Sequence, residues 1–153
     1  MKQKNKRKGI DRNAPRCPYC GGHTILRSAD GIYRENSRRE MLYVCKNYPA
    51  CDAYVRVQKG TTIPLGTVAN RELRELRAEA HRRFDKLFLQ GYMSKHDAYQ
   101  WLGGILGVPA NQAHIGQLGV LSCNLVIREA TKQAAWYRSR QVRNQKSEEG
   151  NAL

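Results

Sequence analysis

Four cysteines in two spaced pairs constrain this chain more than any other feature. Cys17-Pro-Tyr-Cys20 sets two thiols on a tight turn, and Gly21-Gly22 lets the backbone reverse without a Cβ clash. Cys45-Lys-Asn-Tyr-Pro-Ala-Cys51 is a wider C-x5-C in which Asn47 and Pro49 are turn formers that fold the intervening residues back. Paired thiolates at these spacings supply a tetrahedral set for one ion, and an all-cysteine shell leaves no position for water. The expected cofactor is therefore one structural zinc ion held by Cys17, Cys20, Cys45 and Cys51. The competing reading is reduced thiols packed as small hydrophobes, which two pairs flanked by strand patterns disfavour. His23 lies three residues after Cys20, but four cysteines already fill the shell.

The residues around the pairs read as short strands. Thr24-Ile25-Leu26 follows the first pair, Met41 to Val44 enters the second, and Tyr54-Val55-Arg56-Val57 leaves it with period-two alternation. Ser28 to Gly31 supplies a turn. Knuckles at the ends of antiparallel strands make a zinc ribbon over residues 17–60. A segment of about 45 residues is below the size at which a core alone usually suffices, so the metal contributes folding energy.

The second half changes period. Pro64-Leu-Gly66 breaks the pattern, giving a linker over 61–69, and Asn70 caps a helix from Arg71 to Gln90 with Leu73, Leu76, Ala80, Phe84, Leu87 and Phe88 on one stripe. Arg71, Arg74, Arg77, Arg82, Arg83 and Lys86 alternate with carboxylates on its other sides, a solvated face. Ser94 to Asp97 opens a second helix carrying Ala98, Trp101, Leu102, Ile105 and Leu106, in which Gly103-Gly104 either weakens the helix or permits close approach. A third, Ser122 to Arg138, buries Cys123, Val126, Ala130, Ala134 and Tyr137. The fold class is α+β: the ribbon, then a small three-helix domain over 70–138, with a basic disordered arm at 1–16 and a fraying polar tail at 139–153.

Charge narrows function. The 153 residues carry 27 Lys plus Arg against 13 Asp plus Glu, a net charge of +14 that falls to +12 once four thiolates and one divalent ion are counted. That exceeds the magnitude of about 2 to 8 that suffices for solubility. The pattern points to a polyanion, with Lys4, Lys6, Arg7 and Lys8 in the arm and Arg38, Arg39, Lys46, Arg56 and Lys59 in the ribbon as phosphate contacts. Tyr19 and Tyr48, expected as exposed, are candidates for base stacking. The alternatives are a partner-binding protein that modulates a host enzyme, and a metal-dependent nuclease or other enzyme using His81, Asp85 and His114, on which Cys123 could converge as a further metal ligand or a Cys-His nucleophile. No H-E-x-x-H or other catalytic string is present, so no enzymatic activity is expected. No stretch approaches the roughly 20 apolar residues of a membrane span, and the start lacks the apolar centre of a secretory signal, so a cytoplasmic protein is expected.

Two resemblances add to this reading. CPYCGG (17–22) with YVCKNYPACDAYV (43–55) resembles the C-terminal zinc ribbons of bacterial type I topoisomerases, which implies single-stranded DNA as the favoured ligand. The ribbon followed by KGTTIPLGTVANRELRELRAEAHRRFD (59–85), AYQWL (98–102), HIG (114–116) and Cys123 resembles a zinc-finger-containing domain family found mostly in phages and prophages. That likeness spans roughly residues 17–130. It implies a zinc site and a phage setting, hence host cytoplasm, and carries no activity with it.

Overall fold

A computed structural model describes residues 14–151, whose backbone divides into two compact units, one ending at Arg71 and the other beginning at Glu72. The arm residues Lys4, Lys6, Arg7 and Lys8 lie outside the described residues.

The first unit is built on a three-stranded antiparallel sheet in the order β1 (Thr24–Ser28), β2 (Met41–Cys45), β3 (Tyr54–Arg56). The register sets Thr24 opposite Cys45 and Val44 opposite Tyr54. Leu42, Tyr43, Val44 and Cys45 are all buried, as a central strand covered on both faces requires. Period-two geometry sends them to opposite sides. Tyr43 and Cys45 join Cys17, Ala53, Val55, Val57 and Val68, whereas Leu42 and Val44 join Ala29 with Ile32, Tyr33, Tyr48 and Tyr54 around them. The β1–β2 connection is tied by Asn36, whose Nδ2 donates to Asp30 Oδ1 at 2.9 Å while its Oδ1 accepts from the Glu40 amide at 2.8 Å.

Residues 61–69, expected as a linker, belong to the ribbon instead. The Leu65 amide donates to Arg56 O at 2.8 Å, and Tyr54 and Ala69 exchange both backbone bonds at 3.0 and 3.1 Å. The segment thus runs along the outer edge of β3, with Val68 and Ala69 buried beneath it and the Tyr43 hydroxyl donating to Thr62 O at 2.6 Å. Pro64 is compatible with this because an edge position asks for no amide donor on its outer side.

The second unit contains α1 (Arg71–Leu89), α2 (Lys95–Leu106) and α3 (Val120–Asn151), with one-turn 3-10 segments at Ala110–Gln112 and Ile115–Gln117. Its core holds Ala80, Phe84, Leu87, Ala98, Leu102, Cys123, Val126 and Ala130. Burying a large apolar side chain of this kind contributes about 1.5 to 3 kcal/mol. Phe84 meets Tyr99 edge-on at 5.1 Å and lies parallel to Trp101 at 6.5 Å. Ser94 caps α2 by accepting from the Asp97 amide at 3.0 Å, and Gly107 ends it in the left-handed region at φ 69°. Gly103 is a close-approach glycine, since a Cβ there would lie 2.6 Å from the Val108 carbonyl oxygen.

Two expectations change here. Arg77 does not face water: it is buried and its Nε donates to Leu118 O at 3.0 Å, a charge-assisted bond that satisfies a carbonyl beside the core. The third helix does not end at Arg138, and residues 139–151 continue it instead of forming a tail. That stretch is rich in Arg, Gln, Lys and Glu and free of proline, so helix propagation proceeds although every residue from Arg138 to Asn151 is exposed. Among the described residues, no helix is long and apolar enough to cross a membrane.

Candidate metal centre

Two turns hold the cysteines. Cys17 and Cys20 sit before β1, where the Gly21 amide donates to Cys17 O at 2.9 Å and the Cys17 amide to Gly22 O at 3.0 Å. Gly21 takes φ 69°, which favours glycine. Cys45 closes β2, its amide donating to Ala53 O at 2.9 Å, and Cys51 lies on the following loop with its amide donating to Asn47 O at 3.0 Å. The Lys46 amide donates to His23 O at 2.9 Å and so joins the two turns.

The four sulfurs lie within 4.8 Å of one another, with Cys17 to Cys51 at 3.5 Å and Cys20 to Cys45 at 3.4 Å. A regular tetrahedron of thiolates about 2.3 Å from zinc has edges of about 3.8 Å. The observed spacing brackets that value and is far beyond the roughly 2.05 Å of a disulfide, and all four cysteines are free. The donor set therefore fits one structural zinc ion, as the spacing of the cysteines predicts.

Electrostatics around the sulfurs are uneven. The Asn47 side-chain amide donates to Cys20 Sγ at 3.4 Å and, with the Gly22 amide, lowers that thiol to about 6. Burial instead pushes Cys45 up to about 12. The group is thus divided between an exposed sulfur already disposed to ionise and a buried one that keeps its proton until a cation offsets the charge. When bound, zinc supplies that charge and a covalent-strength cross-link between the two turns. Asn47, which sequence reasoning treats only as a turn former, is thereby a sulfur-facing hydrogen-bond donor. The clue is its place in Cys-x-Asn, which sets its side chain beside the metal ligands. Gly22 is closely packed, since a Cβ there would lie 3.3 Å from Cys20 Sγ and 3.2 Å from Lys46 Cε and those side chains would have to give by a few tenths of an ångström.

The remaining expected residues are distributed as follows. Among the described residues, the four cysteines are the sole gathering of three or more potential ligands, and His23 is not among them. Cys123 is buried in α3 with its thiol raised by burial, apart from the cluster. His81 and His114 are exposed and are not brought with Asp85 and Cys123 into a ligand group. Lys46 is exposed on the second knuckle. Arg38 and Arg56 line a cleft of about 180 Å³ together with Tyr33 and Glu40. Arg56 reaches Glu40 at 3.9 Å, and Lys59 Nζ donates to Arg38 O at 2.6 Å. Arg39 is exposed at φ 52°, in the left-handed region. Tyr48 is half-buried against the Leu42 and Val44 side of the sheet, contrary to the exposed ring expected, because the knuckle folds back over that cluster. Tyr19 remains exposed, with its hydroxyl accepting from the Asn70 amide at 3.1 Å.

A family of zinc-finger-containing domains matches residues 13–133, taking in both knuckles, the sheet and most of the helical unit. The chain belongs to this family. Its zinc finger is the four-cysteine centre just described, the place in the first unit where cysteines of ligand spacing converge. Comparison with the curated proteins and with the solved structures gives no match.

Proposed function

We propose that the protein binds nucleic acid, presenting its zinc-held ribbon and basic segments to a polynucleotide, with single-stranded DNA the favoured ligand. The observation that carries the reading is the division of charge on the ribbon. Its carboxylates are engaged internally: Asp30 accepts from Asn36 at 2.9 Å, Glu35 from the Ser37 amide at 2.6 Å, and Glu40 lies 3.9 Å from Arg56. Arg38, Arg39 and Lys46 are left exposed, and Lys59 is exposed with its Nζ on Arg38 O. Cations free to release phosphate counterions are the main source of polynucleotide affinity. Tyr19 adds an exposed ring beside the first knuckle, and aromatic faces stack on unpaired bases. The closed sulfur shell offers no open coordination position, which supports a binding protein over an enzyme. A phage or prophage setting, with the protein in host cytoplasm, belongs to the same reading and rests on the likeness of its sequence strings.

The test is anisotropy of a labelled single-stranded oligonucleotide at low salt, with wild type compared with R38Q/R39Q/K46Q. The expected result is binding by wild type and weakening in the variant at unchanged zinc content. Equal affinity of the two would remove the ribbon from the interface.

One observation favours a second reading, a protein partner. Leu26 and Met41 are diagonal neighbours on one face of the β1–β2 pair and are 39% and 40% exposed. Specific capture of a protein through L26S/M41S-sensitive contacts, with no oligonucleotide binding, would select that reading.

A further inference from the structure

We propose that the outer face of α3 is a second nucleic-acid contact, separate from the ribbon, which takes a sugar–phosphate backbone along a cationic stripe with Trp136 at its edge, halfway along its length. This rests on the nucleic-acid reading and extends it to the helical unit.

The stripe follows from helix geometry. At 3.6 residues per turn, Arg128, Lys132, Arg143 and Lys146 fall within about 60° of one another, on the side opposite Val126, Ala130 and Ala134. Those three are buried, whereas all four cations are exposed. From Arg128 to Lys146 the helix rises about 27 Å, the length of about eight phosphate steps along one strand of duplex DNA. Trp136, 48% exposed, lies at the margin of the stripe, with the Arg140 guanidinium 4.8 Å over its ring. The counter-charge on α3 from Arg128 onward is Glu129, which meets Arg128 at 3.2 Å and Lys132 at 3.5 Å in pairs whose cationic partners are more than 60% exposed, and the exposed Glu148 and Glu149 past the far end of the stripe, three acids against six Lys and Arg. Such pairs are weak in water and yield to a polyanion.

The same geometry selects the occupant. A helix that lies on a bilayer needs an apolar face to sink into it. Beyond Tyr137, the positions that continue the core register are Gln141, Asn144 and Glu148, all polar and exposed. A polyanion in water matches this surface and a lipid bilayer does not. An exposed tryptophan flanked by cations is the arrangement that combines backbone contact with base stacking.

The experiment is a salt titration of oligonucleotide binding by the full zinc-loaded chain, comparing wild type, K132Q/R143Q/K146Q and R38Q/R39Q/K46Q. Circular dichroism is the control for helix content. Three lost phosphate contacts make the slope of log K against log salt shallower by about 2 to 3. In the W101F background, where Trp136 is the sole tryptophan, oligonucleotide addition is expected to quench its emission. An unchanged slope in the α3 variant together with unquenched Trp136, while the ribbon variant weakens binding, would overturn this inference and leave the ribbon reading standing. Wild type that binds no oligonucleotide overturns both. Binding to anionic phosphatidylserine vesicles in place of oligonucleotide would assign the face to membrane and overturn it as well.

Discussion

Adjacent glycines in α2 are expected to respond to alanine in opposite directions. Gly104 faces open space, so Gly104→Ala adds only helix propensity and should stabilise the helical unit by about 0.5 to 1 kcal/mol. Gly103→Ala gains the same propensity but drives a Cβ to 2.6 Å from Val108 O and 3.2 Å from the Ala110 amide nitrogen. Both are backbone atoms, and the Val108 amide is itself held by Gly103 O at 3.0 Å, so the loop has no side chain to swing aside. Overpacking of this kind costs about 1 to 3 kcal/mol, and more where the backbone must move. Because both alanines gain the same propensity, the gap between the variants equals the overpacking cost, about 1 to 3 kcal/mol, and Gly103→Ala falls below wild type by up to about 2.5 kcal/mol. Urea unfolding followed by circular dichroism measures it. At about 2 kcal/mol per molar urea, the two midpoints should differ by roughly 0.5 to 1.5 M. Equal stabilisation by both alanines would refute the close approach of α2 to the 108–110 segment.

Cys45→Ser should lose zinc and unfold the ribbon while Cys123→Ser retains full zinc, which metal analysis of the two proteins decides; retention by the Cys45 variant would refute the ligand set. In metal-free protein, Cys20 should alkylate first, because its thiolate persists as pH falls to about 6 whereas buried Cys45 stays protonated until about pH 12. The Cys20 contribution to folding is accordingly full above the ordinary thiol value and lost as pH falls through about 6. Asn47→Ala should move the alkylation midpoint upward, and an unmoved midpoint would exclude Asn47 as its cause. Tyr48→Ala should destabilise the ribbon by about 2 kcal/mol through lost packing, whether or not nucleic acid is present, and a variant with unaltered stability would restore Tyr48 as a free stacking residue.

The metal centre was legible because ligand chemistry fixes residue type and spacing together. Cys17, Cys20, Cys45 and Cys51 leave few other readings, and β2 announces itself as the apolar run Met41 to Val44 entering the second knuckle. The helix starts at Arg71 and Ser94 were legible for the same reason: capping and apolar period act locally. What escaped was set by tertiary partners. Residues 61–69 carry Pro and Gly that resemble a linker, and only the edge of β3 recruits them. Arg77 looks solvated until Leu118 O requires a donor, and Tyr48 looks free until the second knuckle lays it over Leu42 and Val44. The end of α3 escaped for another reason, since residues 139–151 carry helix propensity without any apolar period to reveal it.

The proposed grip of the zinc-held ribbon and its flanking cations on a polynucleotide makes a demand on salt dependence. The most direct measurement is the affinity of the zinc-loaded chain for single-stranded DNA between about 50 and 200 mM salt, the range over which phosphate contacts show most strongly. Four to six phosphate contacts predict binding at low salt with a slope of log K against log salt of roughly −3 to −5. Removal of zinc should weaken that binding by releasing the two knuckles. A chain that binds no polynucleotide at the lowest salt, or binds with a flat salt dependence, contradicts the account.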